Sequence, residues 1–159
     1  MSVKSEGPTK PQRQGVIAVC VRDGDLLVIQ RSELVEAPRA YCFPGGAIES
    51  GEREDQTLIR EMHEELNVRV VPVRQLWRSE TAWGVALSWW LAHIPQGEKL
   101  CANPQEVAGF HWLSPDRIRE LPGVLSSNLA FLDALAGGVF NLEGSDNWGD
   151  ESSGRTSKG

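Results

Sequence analysis

The sequence has few of the residues that define several common classes of protein. It contains three cysteines in 159 residues, Cys20, Cys42 and Cys101, and their odd number and wide spacing fit neither a disulfide framework nor a zinc site. No apolar run approaches the roughly 20 residues of a membrane-spanning helix, and the polar N-terminus lacks the apolar segment of a secretory signal. We therefore expect a cytoplasmic protein with free thiols and no membrane contact.

Positive charge is also in short supply. The chain has 16 Lys and Arg against 22 Asp and Glu, which gives a formal net charge of -6 and a pI of about 5.1. Binding to a nucleic acid polymer or to an anionic membrane needs a basic surface, so neither is expected as a partner. A single nucleotide is still compatible with this charge, because a metal ion can neutralise its phosphates locally.

The composition predicts one folded domain between two polar ends. Residues 1–14 are rich in Lys, Pro and Gln and predict a disordered N-terminal arm, and residues 144–159 predict a flexible C-terminal tail. The remaining residues 15–143 have the size of a single domain. Nothing in the sequence fixes the oligomeric state, and a homodimer stays open.

Hydrophobic periodicity predicts strands, a helix, further strands and two more helices. Two β-branched apolar runs flank Asp23-Gly24, which predicts a hairpin. An apolar stripe at helical spacing predicts a helix over Glu54–Leu66, and Asn67 suits a left-handed cap at its end. Three further strands are predicted within residues 68–78, 83–94 and 109–113. This order predicts an α+β sandwich in which the first helix packs on a sheet.

Side chains in the later elements give more specific expectations. Ser114 and Pro115 predict the start of one helix, and Asn128 or the Ser before it predicts the cap of the next. The strand within residues 83–94 alternates, with apolar side chains predicted on one face at Trp83, Val85, Leu87, Trp89 and Leu91.

Three carboxylates crowd one turn of the predicted first helix. Glu61, Glu64 and Glu65 lie within five positions and point toward one side, where like charges repel. A divalent cation would reverse the sign of this interaction, and Mg²⁺ or Mn²⁺ prefers carboxylate oxygens. On spacing alone, the cluster can equally be a solvated helix face.

The wider stretch of residues 45–68 distinguishes these two interpretations. It follows the pattern G-x5-E-x7-R-E-U-x-E-E-x-G-U, where U is a bulky aliphatic residue, with the single departure of Asn67 for the second Gly. The stretch resembles the Nudix box, and Phe43–Gly46 resembles the usual approach to it. Asn is a mild replacement for Gly at a left-handed position. The matching residues are Gly46, Glu52, Arg60, Glu61, Met62, Glu64, Glu65 and Val68.

The resemblance implies a fold and a set of roles. The fold is a Nudix-type α/β/α sandwich with a mixed sheet and the carboxylate helix packed against it. Glu61, Glu64 and Glu65 are implied to bind Mg²⁺ or Mn²⁺, and the carbonyl of Gly45 is implied to complete the shell. Glu52 and Arg60 are also counted with the catalytic residues, because their ion pair is expected to brace the loop against the helix.

The general base and the substrate contacts are less specified. Glu106 stands six residues ahead of Trp112, where MutT-like members carry a functional Glu, and Glu61 is its rival as general base. Gly46 and Phe43 are expected at the substrate. Asn128 has two interpretations, a purine-reading amide as in MutT-like members or a simple helix cap, and we favour the cap.

The implied activity is a metal-dependent pyrophosphohydrolase acting on a nucleoside diphosphate linked to a group X. A nucleoside triphosphate, including one with an oxidised purine, is the first choice of substrate, and the products would be a monophosphate and pyrophosphate. ADP-ribose or a nucleotide sugar is one alternative, and a non-catalytic nucleotide-binding module is another. The candidate surfaces for base stacking are Trp77, Trp83, Trp89, Trp90, Trp112 and Tyr41.

Overall fold

The computed structural model describes residues 13–145 of the chain. Within this range no helix is both long and apolar enough to cross a membrane. The first strand takes in Arg13 and Gln14, the last two residues of the predicted arm, while residues 1–12 and 146–159 lie outside the described range. The elements are, in chain order, β1 (Arg13–Val19), β2 (Val21–Arg22), β3 (Asp25–Arg31), β4 (Tyr41–Cys42), β5 (Gly45–Ala47), α1 (Glu54–Leu66), β6 (Val71–Glu80), β7 (Val85–His93), β8 (Val107–Leu113), α2 (Pro115–Arg119) and α3 (Ser126–Ala136).

The strands form two sheets. The first has the order β5-β1-β7-β6, in which β1 and β7 run parallel and the other pairs are antiparallel. The second joins β2, β3 and β4, with β8 also paired to β3, and all of its pairs are antiparallel. The first sheet confirms the predicted mixed sheet.

The predicted hairpin at Asp23-Gly24 is present, but it is shorter than the apolar runs suggest. Asp23 and Gly24 have φ values of 52° and 83° and join β2 to β3 in a two-residue turn. The long run before the turn belongs to β1, which lies in the other sheet because both of its edges are taken by β5 and β7. The chain passes from one sheet to the other at Cys20, which is buried.

Alternating side chains from the strands fill two cores, one on each side of the sheets. Val16 of β1 packs with the stripe of α1, whereas Val19 packs with α2 and α3. Trp89 of β7 lies in the second core, and its neighbour Trp90 packs against the first. Helices therefore cover both sides, which confirms the α/β/α layers. The apolar residues of α1 that face the first core, all fully buried, are Leu58, Met62 and Leu66.

Two helix ends agree with the sequence-based prediction, and a third does not. Helix α1 has the predicted bounds, and Asn67 adopts the left-handed conformation and donates its N–H to the carbonyl of His63. Ser114 caps α2 by accepting a hydrogen bond from the N–H of Arg117. The predicted Ser or Asn cap of α3 is wrong, because Leu125 holds the cap position and Asn128 lies inside the first turn with its side chain directed elsewhere.

The predicted strand position of Trp83 is also wrong. Strand β7 begins at Val85, and Trp83 lies in the turn that joins it to β6. Gly84 has a φ of +84°, a left-handed conformation that interrupts the extended backbone there. Leu87 and Trp89 are buried on one face of β7, as the alternation predicts.

Candidate active site

A cavity of about 730 Å³ opens beside β1 and β5. Its walls come from these two strands, from residues 48–52 ahead of α1, from the β6–β7 turn and from the start of α3. Glu65 of α1 lines this cavity together with Gly45 and Gly46. The cavity therefore borders both the predicted metal-binding helix and apolar residues that lie more than 15 positions from Glu65 in the sequence.

Three carboxylates converge at this helix. Glu61, Glu65 and Glu106 offer oxygen atoms that all lie within 4.8 Å of one another. Glu61 is 9% exposed and Glu65 is 7% exposed, so two of the three are almost removed from water. The N–H of Gly45 donates to Oε1 of Glu65 at 3.2 Å. The structure thus brings Glu106, which the sequence places on a distant loop, to the carboxylates of α1.

Burial makes this cluster unfavourable when it is fully charged. The pKa of Glu61 rises to about 7, mainly because burial disfavours its charged form, and Arg60 only partly opposes this. The pKa of Glu65 is raised well above its ordinary value by burial and by the charge of Glu61. A divalent cation would stabilise both charged forms. Carboxylate oxygens are the donors that Mg²⁺ and Mn²⁺ prefer, so the three residues of the cluster fit such an ion.

Glu64 stands apart from the other two carboxylates of the helix. Its side chain is 43% exposed, and both of its oxygens accept from Nη1 of Arg60 at 3.3 Å. At about 100° per residue, Glu65 lies next to the apolar stripe and Glu64 points farther toward solvent. The structure therefore groups Glu61 and Glu65 with Glu106 and leaves Glu64 at the rim.

Arg60 and Glu52 form the expected ion pair. Nε of Arg60 donates to Oε2 of Glu52 at 2.6 Å, and Nη2 donates to Oε1 at 3.0 Å, which is the bidentate geometry. Nη2 also donates to the carbonyl of Ala47 at 3.0 Å, and Nη1 donates to Glu61 at 3.1 Å. The Arg60 hydrogen bonds, with that of Thr57, hold the pKa of Glu52 at about 2. One guanidinium thus ties β5, the loop before α1 and the carboxylate helix together.

Two glycines allow the backbone to come close to its neighbours. A Cβ on Gly46 would lie 2.2 Å from Cδ of Glu61, and a Cβ on Gly45 would lie 2.2 Å from the carbonyl oxygen of Val16. Any larger residue at 46 would displace the carboxylate of Glu61. The Gly-Gly pair therefore has a steric reason within the site, in addition to its place in the motif.

Phe43 and Asn128 are joined directly, although they are 85 residues apart. Oδ1 of Asn128 accepts from the N–H of Phe43 at 2.8 Å, and Nδ2 donates to Oγ of Ser127 at 3.1 Å. Asn128 is 2% exposed, and the ring of Phe43 is buried against Trp89 and Phe131. Both residues border the cavity, so the buried ring of Phe43 and the fixed amide of Asn128 shape its wall.

The cavity lining also contains polar residues that the sequence-based set lacks, among them Arg31 and Ser127. Arg31 ends β3 and lines the cavity, where its Nε donates to the carbonyl of Glu36 at 2.7 Å. Ser127 borders the cavity next to Asn128. In the sequence, Arg31 stands out only as a basic residue at the end of an apolar strand, and no feature of the sequence indicates that Ser127 belongs to the site.

Comparisons with known proteins agree with this geometry. Residues 11–135 match the family model of the NUDIX domain. CTP pyrophosphohydrolase from Escherichia coli (strain K12) is 28% identical over 123 residues, which cover 76% of this chain and 88% of that protein. The crystal structure of a MutT NUDIX hydrolase from Burkholderia pseudomallei superimposes with a TM-score of 0.67 at 25% identity and covers 78% of this chain and 98% of that one.

One relative is considerably longer. NAD-capped RNA hydrolase NudC from Stutzerimonas stutzeri (strain A1501) is 28% identical over 114 residues, which cover 70% of this chain but 40% of that protein. The chain therefore spans less than half the length of this relative. The domain match extends over most of the chain, and it coincides with the carboxylate helix, the glycine pair and the layered fold described above. On these grounds the chain belongs to the NUDIX family and is a Nudix hydrolase.

Proposed function

We propose that the protein hydrolyses a nucleoside triphosphate, including one with an oxidised purine, to a nucleoside monophosphate and pyrophosphate in the presence of Mg²⁺ or Mn²⁺. The observation that carries this proposal is the cluster of Glu61, Glu65 and Glu106, whose oxygens lie within 4.8 Å of one another. Glu65 lines a cavity of about 730 Å³, which is within the usual range for a site that binds a small molecule.

The proposed metal ligands come from the same cluster. We propose Glu61 and Glu65 as the central ligands and Glu106 as a residue that shares the ion, because the oxygens of all three lie close together. Glu64 and the carbonyl of Gly45 are further proposed ligands, although Glu64 is bound to Arg60 in this structure. When bound, a divalent cation offsets phosphate charge and lowers the pKa of a coordinated water.

The protein itself supplies a base and a rigid frame. Glu106 and Glu61 are the two candidates to accept the proton of the attacking water, since both lie within the cluster. The bidentate pair of Glu52 and Arg60 holds the loop before α1 against the helix, and Arg60 also binds the carbonyl of Ala47 in the Gly-Gly strand.

The substrate contacts are proposed along the cavity wall. Gly46 is proposed at the phosphate end of the substrate, because it borders the cavity and lies against the carboxylate of Glu61. Asn128 has its Oδ1 committed to the N–H of Phe43 and one N–H of Nδ2 committed to Oγ of Ser127, so the second N–H of Nδ2 is proposed to donate to a substrate. This arrangement favours an acceptor atom on the part of the substrate that meets Asn128.

Other substrates of the same chemical class are second candidates. The NudC relative is named for the hydrolysis of an NAD cap, a dinucleotide that joins two nucleotides through a pyrophosphate. ADP-ribose and nucleotide sugars contain the same linkage. The net charge of -6 supports a free nucleotide over a nucleic acid polymer. We also propose a cytoplasmic location, which the three free cysteines support.

Hydrolysis of a substrate panel tests this proposal. The panel contains the common and oxidised nucleoside triphosphates, ADP-ribose, dinucleotides and nucleotide sugars, each with Mg²⁺, Mn²⁺ or EDTA. We expect metal-dependent release of pyrophosphate from one group of nucleoside triphosphates. Glu65→Gln is the matched inactive control. If the folded wild-type protein gives no more turnover than this control across the panel, a nucleotide-binding module is favoured instead.

A further inference from the structure

Trp83 is the most exposed large apolar residue of residues 13–145. Its exposed fraction is 87%, and its ring contacts no other aromatic ring within that range. Leaving a side chain of this size in water forfeits the stabilisation that burial would give. The residue nevertheless borders the same cavity as Glu65 and Gly45.

The turn that carries Trp83 is closed by its own hydrogen bonds. The hydroxyl of Thr81 accepts from the N–H of Trp83 at 3.3 Å and from the N–H of Val85 at 3.1 Å. The N–H of Gly84 donates to the carbonyl of Thr81 at 3.0 Å. A Cβ on Gly84 would meet nothing within 4 Å, so the glycine serves the left-handed turn and not a packing contact. The backbone thus holds Trp83 in place without any burial of its ring.

The strand register gives the distance between this turn and the carboxylates. Val85 pairs with Arg13 at the start of β1, and Gly45 pairs with Ile17 four residues further along. Four residues of strand span about 13 Å. Gly45 is the residue whose N–H donates to Glu65, so the start of β7 at Val85 lies about 13 Å from it along the strand direction, and Trp83 lies two residues before Val85. A substrate with its phosphates at Glu61 and Glu65 would bring its base to the β6–β7 turn.

The rest of the cavity near this turn suits a flat ring. Val85, Leu87 and Leu125 supply apolar walls, and Ser127 and Asn128 supply polar groups. We infer that Trp83 is the residue on which the nucleobase of the substrate stacks, which makes the β6–β7 turn a specificity element of the enzyme. This inference rests on the proposed function, because it takes the phosphate end of the substrate to lie at the carboxylates.

Kinetics and inhibition of Trp83→Ala test the inference. Stacking on an aromatic side chain corresponds to about a 5- to 100-fold change in affinity. We expect KM for the nucleoside triphosphate to rise by about this factor while kcat changes little. Inhibition by the nucleoside monophosphate should weaken in parallel, and inhibition by pyrophosphate, which has no base, should stay unchanged. Trp83→Phe should keep most of the affinity.

A binding titration separates this inference from the proposed function. In EDTA, the nucleoside monophosphate should quench the tryptophan fluorescence of the wild-type protein. It should quench that of Val139→Ala equally, since Val139 is an exposed apolar residue outside the cavity. It should quench the tryptophan fluorescence of Trp83→Phe less. An unchanged KM and unchanged monophosphate inhibition in Trp83→Ala would overturn the role of Trp83. Equal weakening of pyrophosphate inhibition would also overturn it, because the variant would then have damaged the whole site. If no nucleotide is hydrolysed, the proposed function fails, and the titration still decides whether Trp83 binds a base.

Discussion

The carboxylate of Glu61 lies directly against Gly46, so that a Cβ at residue 46 would be 2.2 Å from Cδ of Glu61. We predict that Gly46→Ala moves this carboxylate out of the cluster while the protein stays folded, because the displaced atoms are the end of a flexible side chain. A displacement of about 1 Å at a catalytic group costs roughly 10²-fold in rate. Turnover should therefore fall strongly, whereas the melting temperature should change little.

Gly109→Ala is the matched control for this substitution. Its Cβ would meet nothing within 4 Å, and it lies in β8 outside the cavity lining. Wild-type turnover in Gly46→Ala would show that the position of Glu61 does not matter for the reaction. A collapse of the melting temperature in Gly46→Ala alone would instead show that Gly46 is needed for folding.

Arg60→Ala should lower stability and activity together. The guanidinium has 23% of its side chain exposed and joins Glu52, Ala47 and Glu61. Hydrogen bonds to a charged group contribute about 1.5–3 kcal/mol, and for a chain of this size we expect the melting temperature to fall by roughly 4–10 °C. Arg119→Ala breaks a surface pair with Asp133 and should change the melting temperature far less. Equal effects of the two substitutions would remove the bracing role of Arg60.

The metal-free protein should become less stable as the pH rises from 5 to 7.5. Burial raises the pKa of Glu61 from its ordinary value of 4.5 to about 7, and it also raises that of Glu65. A raised pKa means that the folded state binds the proton more tightly than the unfolded state, so this stability is present below pH 4.5 and is lost as the pH passes 7. Melting curves in EDTA measure the effect. Glu61→Gln should flatten the curve, and an equally steep decline in that variant would contradict the assignment.

Mg²⁺ should restore the folding stability that the metal-free protein loses as the pH rises. An ion that binds the charged carboxylates stabilises the folded state more at pH 7.5 than at pH 5, where protons compete for the same oxygens. The rise in melting temperature on addition of Mg²⁺ at the two pH values is the measurement. An equal rise at both values would show that the ion binds elsewhere.

Glu65→Gln should give a protein that is more stable without metal and much less active. The substitution removes the cost of ionising a carboxylate that is buried near Glu61, and it keeps the shape of the side chain. We expect a loss of about 10²-fold or more in kcat and a higher melting temperature in EDTA at pH 7.5. Glu120→Gln, an exposed carboxylate outside the cavity, should leave both quantities unchanged. A metal-replete Glu65→Gln with wild-type turnover would rule out Glu65 as a ligand.

Local patterns predicted α1 and its brace well. The apolar stripe and Asn67 set the bounds of the helix, and a motif within one stretch of chain placed Glu52 beside Arg60. These features depend on contacts between residues that are close in sequence, where periodicity and capping chemistry act directly. The predicted activity follows from the same short stretch.

Features that depend on tertiary contacts were predicted less well. The sequence around Asn128 favours a helix cap, but its side chain accepts a hydrogen bond from the backbone N–H of Phe43, which is distant in sequence. The division of the carboxylates into a buried pair and Glu64 depends on how α1 rotates against the sheet, which the spacing of three Glu residues does not determine. The exposed position of Trp83 depends on where β7 begins, and strand ends are set by pairing with β1.

Phosphorus NMR of the products formed from one nucleoside triphosphate tests the proposed reaction most directly. With Mg²⁺ the wild-type protein should produce the nucleoside monophosphate and pyrophosphate in equal amounts, and neither EDTA-treated protein nor Glu65→Gln should do so at a comparable rate. Formation of a nucleoside diphosphate and phosphate, or hydrolysis that continues unchanged in EDTA, would contradict a metal-dependent pyrophosphohydrolase at Glu61, Glu65 and Glu106.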